Sequence, residues 1–283
     1  MVEKYIPTSL CKALDILSKK DCYILAGGSD LMVMKKNTAG LMPKFDKDVL
    51  YLSHVDELKG IYEDEAGVHI KAMTTLDEVL HSKEAPALLK KAISEVASSN
   101  IRHFATLVGN LANASPAGDT IVVDFLLDAK VKLVSVNGER IVSAEDFVLG
   151  VRKIDRHPEE LISELIFPKL TYTGDMWWKV GSRKADSISK VMVAGYWGIR
   201  GKIVEKFALS FGSVSIKAVR SHDIEKEIIG LSVSELKARK NEFIEKYGKI
   251  ITPIDDQRSN AEYRHKVAMN IVSEFIDKVV GGK

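Results

Sequence analysis

Cysteine is scarce in this sequence of 283 residues, where Cys11 and Cys22 are the only two. Two thiols cannot form a disulfide framework, and they cannot supply the four thiolates of a structural zinc site or an iron–sulfur cluster. Any iron–sulfur chemistry would therefore have to come from another chain. The histidines show no His-Glu-x-x-His or similar spacing, so the sequence indicates no metal site. They are His54, His69, His81, His103, His157, His222 and His265.

Long apolar runs and an excess of charge of one sign are also missing. The longest uncharged, largely apolar run is 191–199, far short of the roughly 20 residues that cross a bilayer. The 41 Lys and Arg residues nearly balance 39 Asp and Glu, which indicates neither nucleic acid nor an anionic membrane as a partner. The N-terminal segment carries an acid and a proline where a signal peptide needs a basic and then an apolar region. We therefore expect a cytoplasmic protein without a membrane span.

The short motifs of the commonest hydrolase and nucleotide sites are absent as well. The sequence contains no Gly-x-Ser-x-Gly elbow, no P-loop and no Gly-x-Gly-x-x-Gly fingerprint. Its composition, with 46% apolar and 28% charged residues, is that of an ordinary globular protein. The length predicts one large or two moderate domains, and we expect two.

Apolar periodicity and turn signals predict mixed strands and helices. Asn137-Gly138 predicts a hairpin turn, and capping boxes at Thr75–Glu78 and Ser259–Glu262 predict helix starts. After Pro168, strand-like runs are followed by helical ones, which is typical of an antiparallel sheet with helices on one face. We therefore place a domain boundary near residue 171. The predicted strands are 23–26, 68–72, 131–136, 140–142, 160–167, 176–182, 191–199 and 203–211, and the longer helices are 85–98 and a final one after 259.

A glycine pair marks the first candidate binding segment, Ala26-Gly27-Gly28-Ser29-Asp30, which lies between a predicted strand and a predicted helix. Adjacent glycines let successive main-chain N–H groups point into one concavity, which suits a phosphate group. A helix that starts at Asp30 would add its unpaired N–H groups and the positive end of its dipole. A simple tight turn explains this segment equally well when it is taken alone.

Small and polar residues dominate the second candidate segment, 106–119, which predicts a long loop without regular structure. Gly109 permits close approach of the backbone, and Thr106 and Ser115 offer hydroxyl groups. Asn110 offers a donor and an acceptor, and Asp119 can accept from ribose hydroxyls. A nucleotide diphosphate would use these groups, whereas a surface Ω-loop would use them to satisfy its own backbone. Two such segments in one predicted domain favour the diphosphate.

The two segments resemble the FAD loops of a known family, the flavoprotein subunits of molybdenum hydroxylases such as xanthine dehydrogenase and carbon monoxide dehydrogenase. Residues 26–35 resemble its Ala-Gly-Gly-Thr-Asp-Leu loop, and residues 101–119 are similar to Ile-Arg-Asn-x-Ala-Thr-x-Gly-Gly-Asn followed by Ala-Ser-Pro-x-Ser-Asp. Residues 179–186 and 255–264 are similar to signatures of its C-terminal domain. Two positions depart from the pattern, because Val108 replaces a glycine and Gly118 replaces a serine.

The resemblance implies an α+β fold in two domains. A two-lobed FAD-binding domain of the vanillyl-alcohol-oxidase (PCMH) type would occupy residues 1–170, with lobes of about 1–55 and 56–170. A smaller α+β domain with an antiparallel sheet and helices would occupy residues 171–283. FAD would lie between the two lobes, and the flavin rather than a side chain would carry the chemistry.

Motif matching implies which residues hold FAD. Lys179 matches a family lysine near the flavin, where a cation would stabilise the reduced anionic ring; a solvated strand lysine is the alternative. Core packing explains Trp177 and Trp178 better than stacking on the flavin. Ile162 matches a position near the adenosine half. The implied cofactor-binding residues are Leu25, Ala26, Gly27, Gly28, Ser29, Asp30, Thr106, Gly109, Asn110, Ser115, Asp119, Ile162 and Lys179.

The implied function is that of an FAD-dependent oxidoreductase, as the FAD-binding subunit of a multi-subunit molybdenum hydroxylase. Its partners would be an iron–sulfur subunit and a molybdopterin-binding subunit, and its electrons would pass to NAD or another acceptor. A stand-alone flavin reductase or oxidase of the same fold is one alternative. The other is a non-catalytic assembly subunit whose FAD site has decayed, which Val108 and Gly118 leave open.

Overall fold

The computed structural model describes residues 2–184 and 186–281, so Ala185 of the predicted 179–186 signature and the chain-end residues Met1, Gly282 and Lys283 lie outside it. The chain forms two compact units, each built from three segments. Unit 1 comprises Met1–Pro86, Ala97–Asn113 and Asp128–Pro168. Unit 2 comprises Ala87–Val96, Ala114–Leu127 and Lys169–Lys283. The domain boundary near residue 171 stays a prediction.

The strands are two to seven residues long in unit 1 and two to ten residues long in unit 2. In chain order they are β1 (Lys4–Tyr5), β2 (Cys22–Leu25), β3 (Asp48–Tyr51), β4 (Ile61–Glu63), β5 (Val68–Lys71), β6 (Lys130–Ser135), β7 (Gly138–Ser143), β8 (Val148–Gly150), β9 (Lys153–Ile154), β10 (Leu161–Phe167), β11 (Gly174–Val180), β12 (Val191–Arg200), β13 (Ile203–Gly212) and β14 (Val219–Arg220).

Most helices are one to three turns long, and the last is much longer. In chain order they are α1 (Leu10–Leu17), α2 (Leu31–Met34), α3 (Leu76–His81), α4 (Ala87–Ser94), α5 (Ser99–Arg102), α6 (Leu107–Asn113), α7 (Asp119–Leu126), α8 (Ala144–Phe147), α9 (His222–Ile228), α10 (Val233–Ala238), α11 (Lys240–Ile250) and α12 (Ala261–Gly281), with a 3₁₀ turn at Asp56–Leu58. Among the described residues, no helix is long and apolar enough to cross a membrane.

Unit 1 contains two principal sheets. Strands β1, β3 and β2 form a parallel sheet in that order, and β4-β5-β10-β6-β7 form an antiparallel one. In the antiparallel sheet Leu165 pairs with Ile70 on one side and Val131 on the other, and all three are fully buried. These three residues therefore form part of one core face that runs across the three strands. The predicted hairpin at Asn137-Gly138 is confirmed as the turn between β6 and β7.

Unit 2 is built on the antiparallel sheet β11-β12-β13-β14. Phe275 of α12 packs edge-on against Trp197 and Phe207, with ring centroids 5.3 and 5.2 Å apart. A Cβ atom on Gly212 would lie 2.5 Å from Val122 of α7, on the opposite face of the sheet. Helices therefore cover both faces, and the prediction of one covered face is wrong. The reason is that β12 is buried on both sides along most of its length.

Helix ends show where local sequence signals succeed and fail. The capping box at Thr75 is confirmed, because Thr75 and Glu78 bond each other's main-chain N–H groups. The predicted box at Ser259 does not form, because the Ser259 N–H group that it needs donates to Asp256 Oδ1 at 3.1 Å instead. Asn260 caps α12 instead, and its Oδ1 accepts from the N–H of Tyr263 at 2.8 Å. The predicted helix 85–98 is shorter than expected and ends at Ser94.

The two adjacent tryptophans do not share one environment, since neighbouring strand residues point to opposite sides. Trp177 is half-buried, and its Nε1 donates to Glu95 Oε2 at 3.2 Å. Trp178 is 39% exposed, so the prediction that it packs in the core is wrong.

Asp124 of α7 is a buried carboxyl group whose two oxygens lack hydrogen-bond partners within the described residues. Burial raises the pKa of Asp124 well above its usual value, since the charged form loses its hydration. The native state therefore holds a proton that the unfolded chain releases as the pH rises above about 4. The free energy of unfolding must then fall as the pH rises from that value towards the native pKa.

We expect Asp124→Leu to raise the free energy of unfolding by about 1–3 kcal/mol at pH 8, because it removes the buried polar group. The gain shrinks at pH 5, where Asp124 of the native protein keeps its proton. Urea unfolding at both pH values measures the effect, with Asp223→Asn on the surface as the control. A variant less stable than the parent at pH 8 would show that Asp124 has a hydrogen-bonded role.

Candidate functional site

The first glycine segment lies directly against the backbone that leads into the second. A Cβ atom on Gly27 would lie 1.7 Å from the carbonyl oxygen of Phe104 and 3.0 Å from the Cα of Ala105. No side chain fits at that distance, so glycine is required for this close approach. Gly28 has a φ of +71°, the left-handed conformation that glycine adopts without strain. The two predicted segments therefore meet within unit 1.

The first segment presents a row of unsatisfied main-chain donors. In the described part of the chain, the N–H groups of residues 27–31 have no acceptor, and the next one, Met32 N–H, donates to the Gly28 carbonyl at 2.9 Å. All five of these residues are partly exposed, so a ligand can reach the segment. Successive free N–H groups of this kind form an anion-binding concavity.

The predicted contribution of a helix dipole at Asp30 is small. The helix that follows, α2, is only four residues long, and Asp30 makes no capping hydrogen bond to it. So few aligned peptide units add little charge at the N-terminus. The free N–H groups of the glycine turn itself therefore carry the electrostatic argument for an anion.

The second segment is not an irregular loop, and that prediction is wrong. Residues 107–113 form α6, and Asp119 begins α7. Thr106 opens α6, since its Oγ1 accepts from Gly109 N–H at 3.0 Å and its carbonyl from Asn110 N–H at 3.0 Å. Leu107 and Leu111 are fully buried, and their four-residue spacing places them on one face of the helix. The small residues around them make this pattern hard to recognise in the sequence.

The two residues that depart from the family pattern, Val108 and Gly118, both occupy ordinary structural environments. Val108 is 5% exposed, so its side chain packs inside unit 1 instead of projecting into solvent. Gly118 precedes α7 with a φ of −74°, which any residue can adopt. Neither residue requires an unusual backbone conformation.

Arg152 ties the two segments together, and sequence analysis missed it. Its Nη1 donates to Asp30 Oδ2 at 3.1 Å and to Asn113 Oδ1 at 2.7 Å. Arg152 lies in the turn between β8 and β9 with a φ of +54°. The left-handed conformation costs a non-glycine residue about 1–2 kcal/mol, whereas an exposed ion pair returns about 0–1 kcal/mol. No local motif signals such a contact, because 122 residues separate Arg152 from Asp30.

Asp119 and Lys179 form a buried ion pair in unit 2. Lys179 Nζ lies 2.7 Å from Asp119 Oδ2 and 2.7 Å from the Glu95 carbonyl oxygen. Ser189 Oγ donates to Asp119 Oδ1 at 2.7 Å, so both carboxylate oxygens are bonded. Burial raises the pKa of Asp119, and the Lys179 ammonium opposes this shift. The Lys179 side chain is only 6% exposed, which rules out the solvated alternative.

The remaining candidates are divided between the units. Ile162 is buried on β10 opposite Leu133 in unit 1. Ser115 belongs to unit 2, and its Oγ accepts from Ala117 N–H at 3.3 Å. The structure thus brings Gly27 of the first segment against the 104–105 backbone in unit 1, and Asp119 against Lys179 in unit 2. Which of these residues contact a cofactor stays a prediction.

Two family models match this chain in sequence. The first, an FAD binding domain in molybdopterin dehydrogenase, matches residues 1–170. The second, a CO dehydrogenase flavoprotein C-terminal domain, matches residues 177–279. The two matches are consecutive and together cover most of the chain.

Several relatives match over nearly their full length. The glyceraldehyde dehydrogenase medium chain of Sulfolobus acidocaldarius is 30% identical over 275 residues, covering 96% of this chain and 95% of the relative. The carbon monoxide dehydrogenase medium chain of Hydrogenophaga pseudoflava is 24% identical, covering 97% and 96%. Among solved structures, reconstituted CO dehydrogenase from Oligotropha carboxidovorans has a TM-score of 0.88 at 24% identity, covering 100% of this chain and 99% of that chain. This last match confirms the α+β fold.

Proposed function

This chain belongs to the family of FAD-binding subunits of molybdenum hydroxylases, and from that premise we propose that it relays electrons within a multi-subunit enzyme of this type. It is an oxidoreductase subunit with FAD as its cofactor. In the proposed steps, the subunit accepts electrons from iron–sulfur clusters of a partner and passes those electrons to NAD or another acceptor.

The first segment fits a diphosphate, and this observation carries the proposal. The N–H groups of residues 27–31 are free within the described chain. Because Gly27 has no Cβ atom, the segment can lie against the 104–105 backbone. We propose that Leu25, Ala26, Gly27, Gly28, Ser29 and Asp30 bind FAD, and that Thr106, Gly109, Asn110, Ser115 and Asp119 bind it as well. Ile162 would contact the adenosine half, and Lys179 would lie near the flavin.

The chain's own residues act by binding and orientation. FAD supplies the electron-transfer chemistry when it is bound. Main-chain N–H groups that are already in place need no reorganisation to hold a phosphate charge. The Asp119–Lys179 pair fixes the ammonium group with two acceptors, so Lys179 holds its charge at a defined position in unit 2.

Partner subunits follow from the chain's own lack of redox ligands. Two cysteines cannot hold a four-thiolate cluster, so clusters that exchange electrons with this chain must be held elsewhere. Several relatives are described as medium chains or FAD-binding subunits, which indicates that those proteins are parts of larger assemblies. We propose an iron–sulfur subunit and a molybdopterin-binding subunit as partners. The cytoplasmic location stays a prediction.

The two alternatives receive less support. Matches to medium chains over more than nine-tenths of both sequences favour a subunit over a stand-alone reductase or oxidase. The free N–H groups of residues 27–31 favour a working site over a decayed one.

Purification of an affinity-tagged full-length chain from its native cells tests the assembly. We expect FAD together with two further polypeptides, one carrying iron–sulfur clusters and one carrying molybdopterin. A flavin-loaded chain that purifies alone would support the stand-alone alternative. A complex without flavin would support the assembly-subunit alternative.

A further inference from the structure

We propose that Arg152 binds the diphosphate of FAD through the edge of its guanidinium group that faces away from Asp30 and Asn113. This inference rests on the proposed function and adds a residue that motif matching did not supply. The Arg152 side chain connects the two candidate segments within unit 1.

The guanidinium group uses one nitrogen for its contacts and leaves the others available. Nη1 contacts Asp30 Oδ2, Asn113 Oδ1 and, at 2.7 Å, the sulfur of Met34. Within the chain as described, Nε and Nη2 have no hydrogen-bond partner. The side chain is 48% exposed, so a ligand can reach these N–H groups. Nε and Nη2 form the parallel pair of donors that matches two phosphate oxygens.

The position of Arg152 points to the diphosphate. Its partner Asp30 is part of the segment of free main-chain N–H groups, so the guanidinium group lies next to that segment. Asp30 and Asn113 hold the guanidinium group from two different segments, so the side chain is already ordered before a ligand binds. The entropy cost of ordering it on binding is therefore smaller. The left-handed backbone conformation at Arg152 is strained. The free energy gained from its exposed ion pair is too small to offset that strain.

Two other cations, Lys35 and Lys179, already have partners. Lys35 Nζ, which follows the first segment, lies 2.6 Å from both Tyr23 Oη and Asp46 Oδ1. Lys179 is held by Asp119 and by the Glu95 carbonyl. Arg152 therefore combines free donors, exposure and a place on the first segment.

Titration of the purified full-length apo-chain with FAD, followed by flavin fluorescence, tests this role. We expect Arg152→Gln to weaken FAD binding by roughly tenfold to a hundredfold, the usual effect of lost charge-assisted hydrogen bonds. Arg152→Lys retains the charge without the paired donors and should lose less. Arg200→Gln, which removes an exposed ion pair with Glu205 in unit 2, should bind FAD like the parent chain.

Competition by ADP and by adenosine separates a phosphate contact from a general loosening of the two segments. Arg152→Gln should weaken ADP binding by a similar factor and leave adenosine binding unchanged. Equal FAD affinity of Arg152→Gln and the parent would overturn the inference, and so would equal losses for ADP and adenosine. In both of those outcomes the parent chain still binds FAD, whereas a parent chain that binds no FAD would refute the proposed function itself.

Discussion

Gly27→Ala is expected to weaken FAD binding about a hundredfold. The added methyl carbon would lie 1.7 Å from the carbonyl oxygen of Phe104, which is main chain and cannot rotate away as a side chain could. The two segments must therefore separate, and the free N–H groups of residues 27–31 lose their shared orientation. Overpacking of this kind costs about 1–3 kcal/mol, and the upper value corresponds to a factor near one hundred in affinity.

Fluorescence titration with FAD and urea unfolding measure the two consequences of this variant separately. Gly281→Ala is the matched control, because it adds the same methyl group to a glycine with open space around it. We expect the control to bind FAD normally. Unchanged FAD affinity in Gly27→Ala would show that the close approach of residue 27 to residues 104–105 is irrelevant to the site.

Lys179→Met is expected to lower the free energy of unfolding by about 3–5 kcal/mol at neutral pH, since it leaves Asp119 charged and uncompensated in the interior. Both groups are almost fully buried, with side-chain exposures of 6% and 9%. Asp119→Asn combined with Lys179→Met should recover much of the loss, because neither buried group then carries a charge. Urea unfolding of the two single variants and the double variant measures the coupling.

The pH dependence of Lys179→Met provides a second check on the same pair. Burial raises the pKa of Asp119, and Lys179 is the group that opposes this shift most strongly. Without Lys179 the native state keeps the Asp119 proton to higher pH than the unfolded chain does, so stability falls as the pH rises above about 4. The variant should therefore be closer to the parent at pH 5 than at pH 8. A defect that is the same at both pH values, or additive effects in the double variant, would contradict this account.

Local chemistry explains which elements the sequence predicts well. The hairpin at Asn137-Gly138, the capping box at Thr75 and the strands of unit 2 depend on neighbours in sequence, and all of them form. The box at Ser259 has the same local pattern, but Asp256 Oδ1 accepts from the Ser259 N–H group that the box needs. Local motifs therefore predict a helix start only where no nearby residue competes for the same donors.

In the candidate site too, the residues with a local sequence signal are predicted and those that depend on tertiary contacts are not. The glycine segment at residues 26–30 is recognisable because two adjacent glycines stand between a predicted strand and a predicted helix. Helix α6 was missed because Gly109 and Asn110 disfavour a helix in isolation, while the burial of Leu107 and Leu111 overrides that preference. Arg152 was missed because its contacts depend on tertiary folding. Lys179 was matched by motif, but its pairing with Asp119 needed the structure.

Backbone amide NMR of the full-length chain during an FAD titration tests the central claim most directly. The account predicts saturation at one FAD per chain, with large shifts of the amide resonances of residues 27–31, whose N–H groups are free before binding. Saturable FAD binding that leaves these amide resonances unmoved would contradict the claim that this turn of main chain holds the diphosphate.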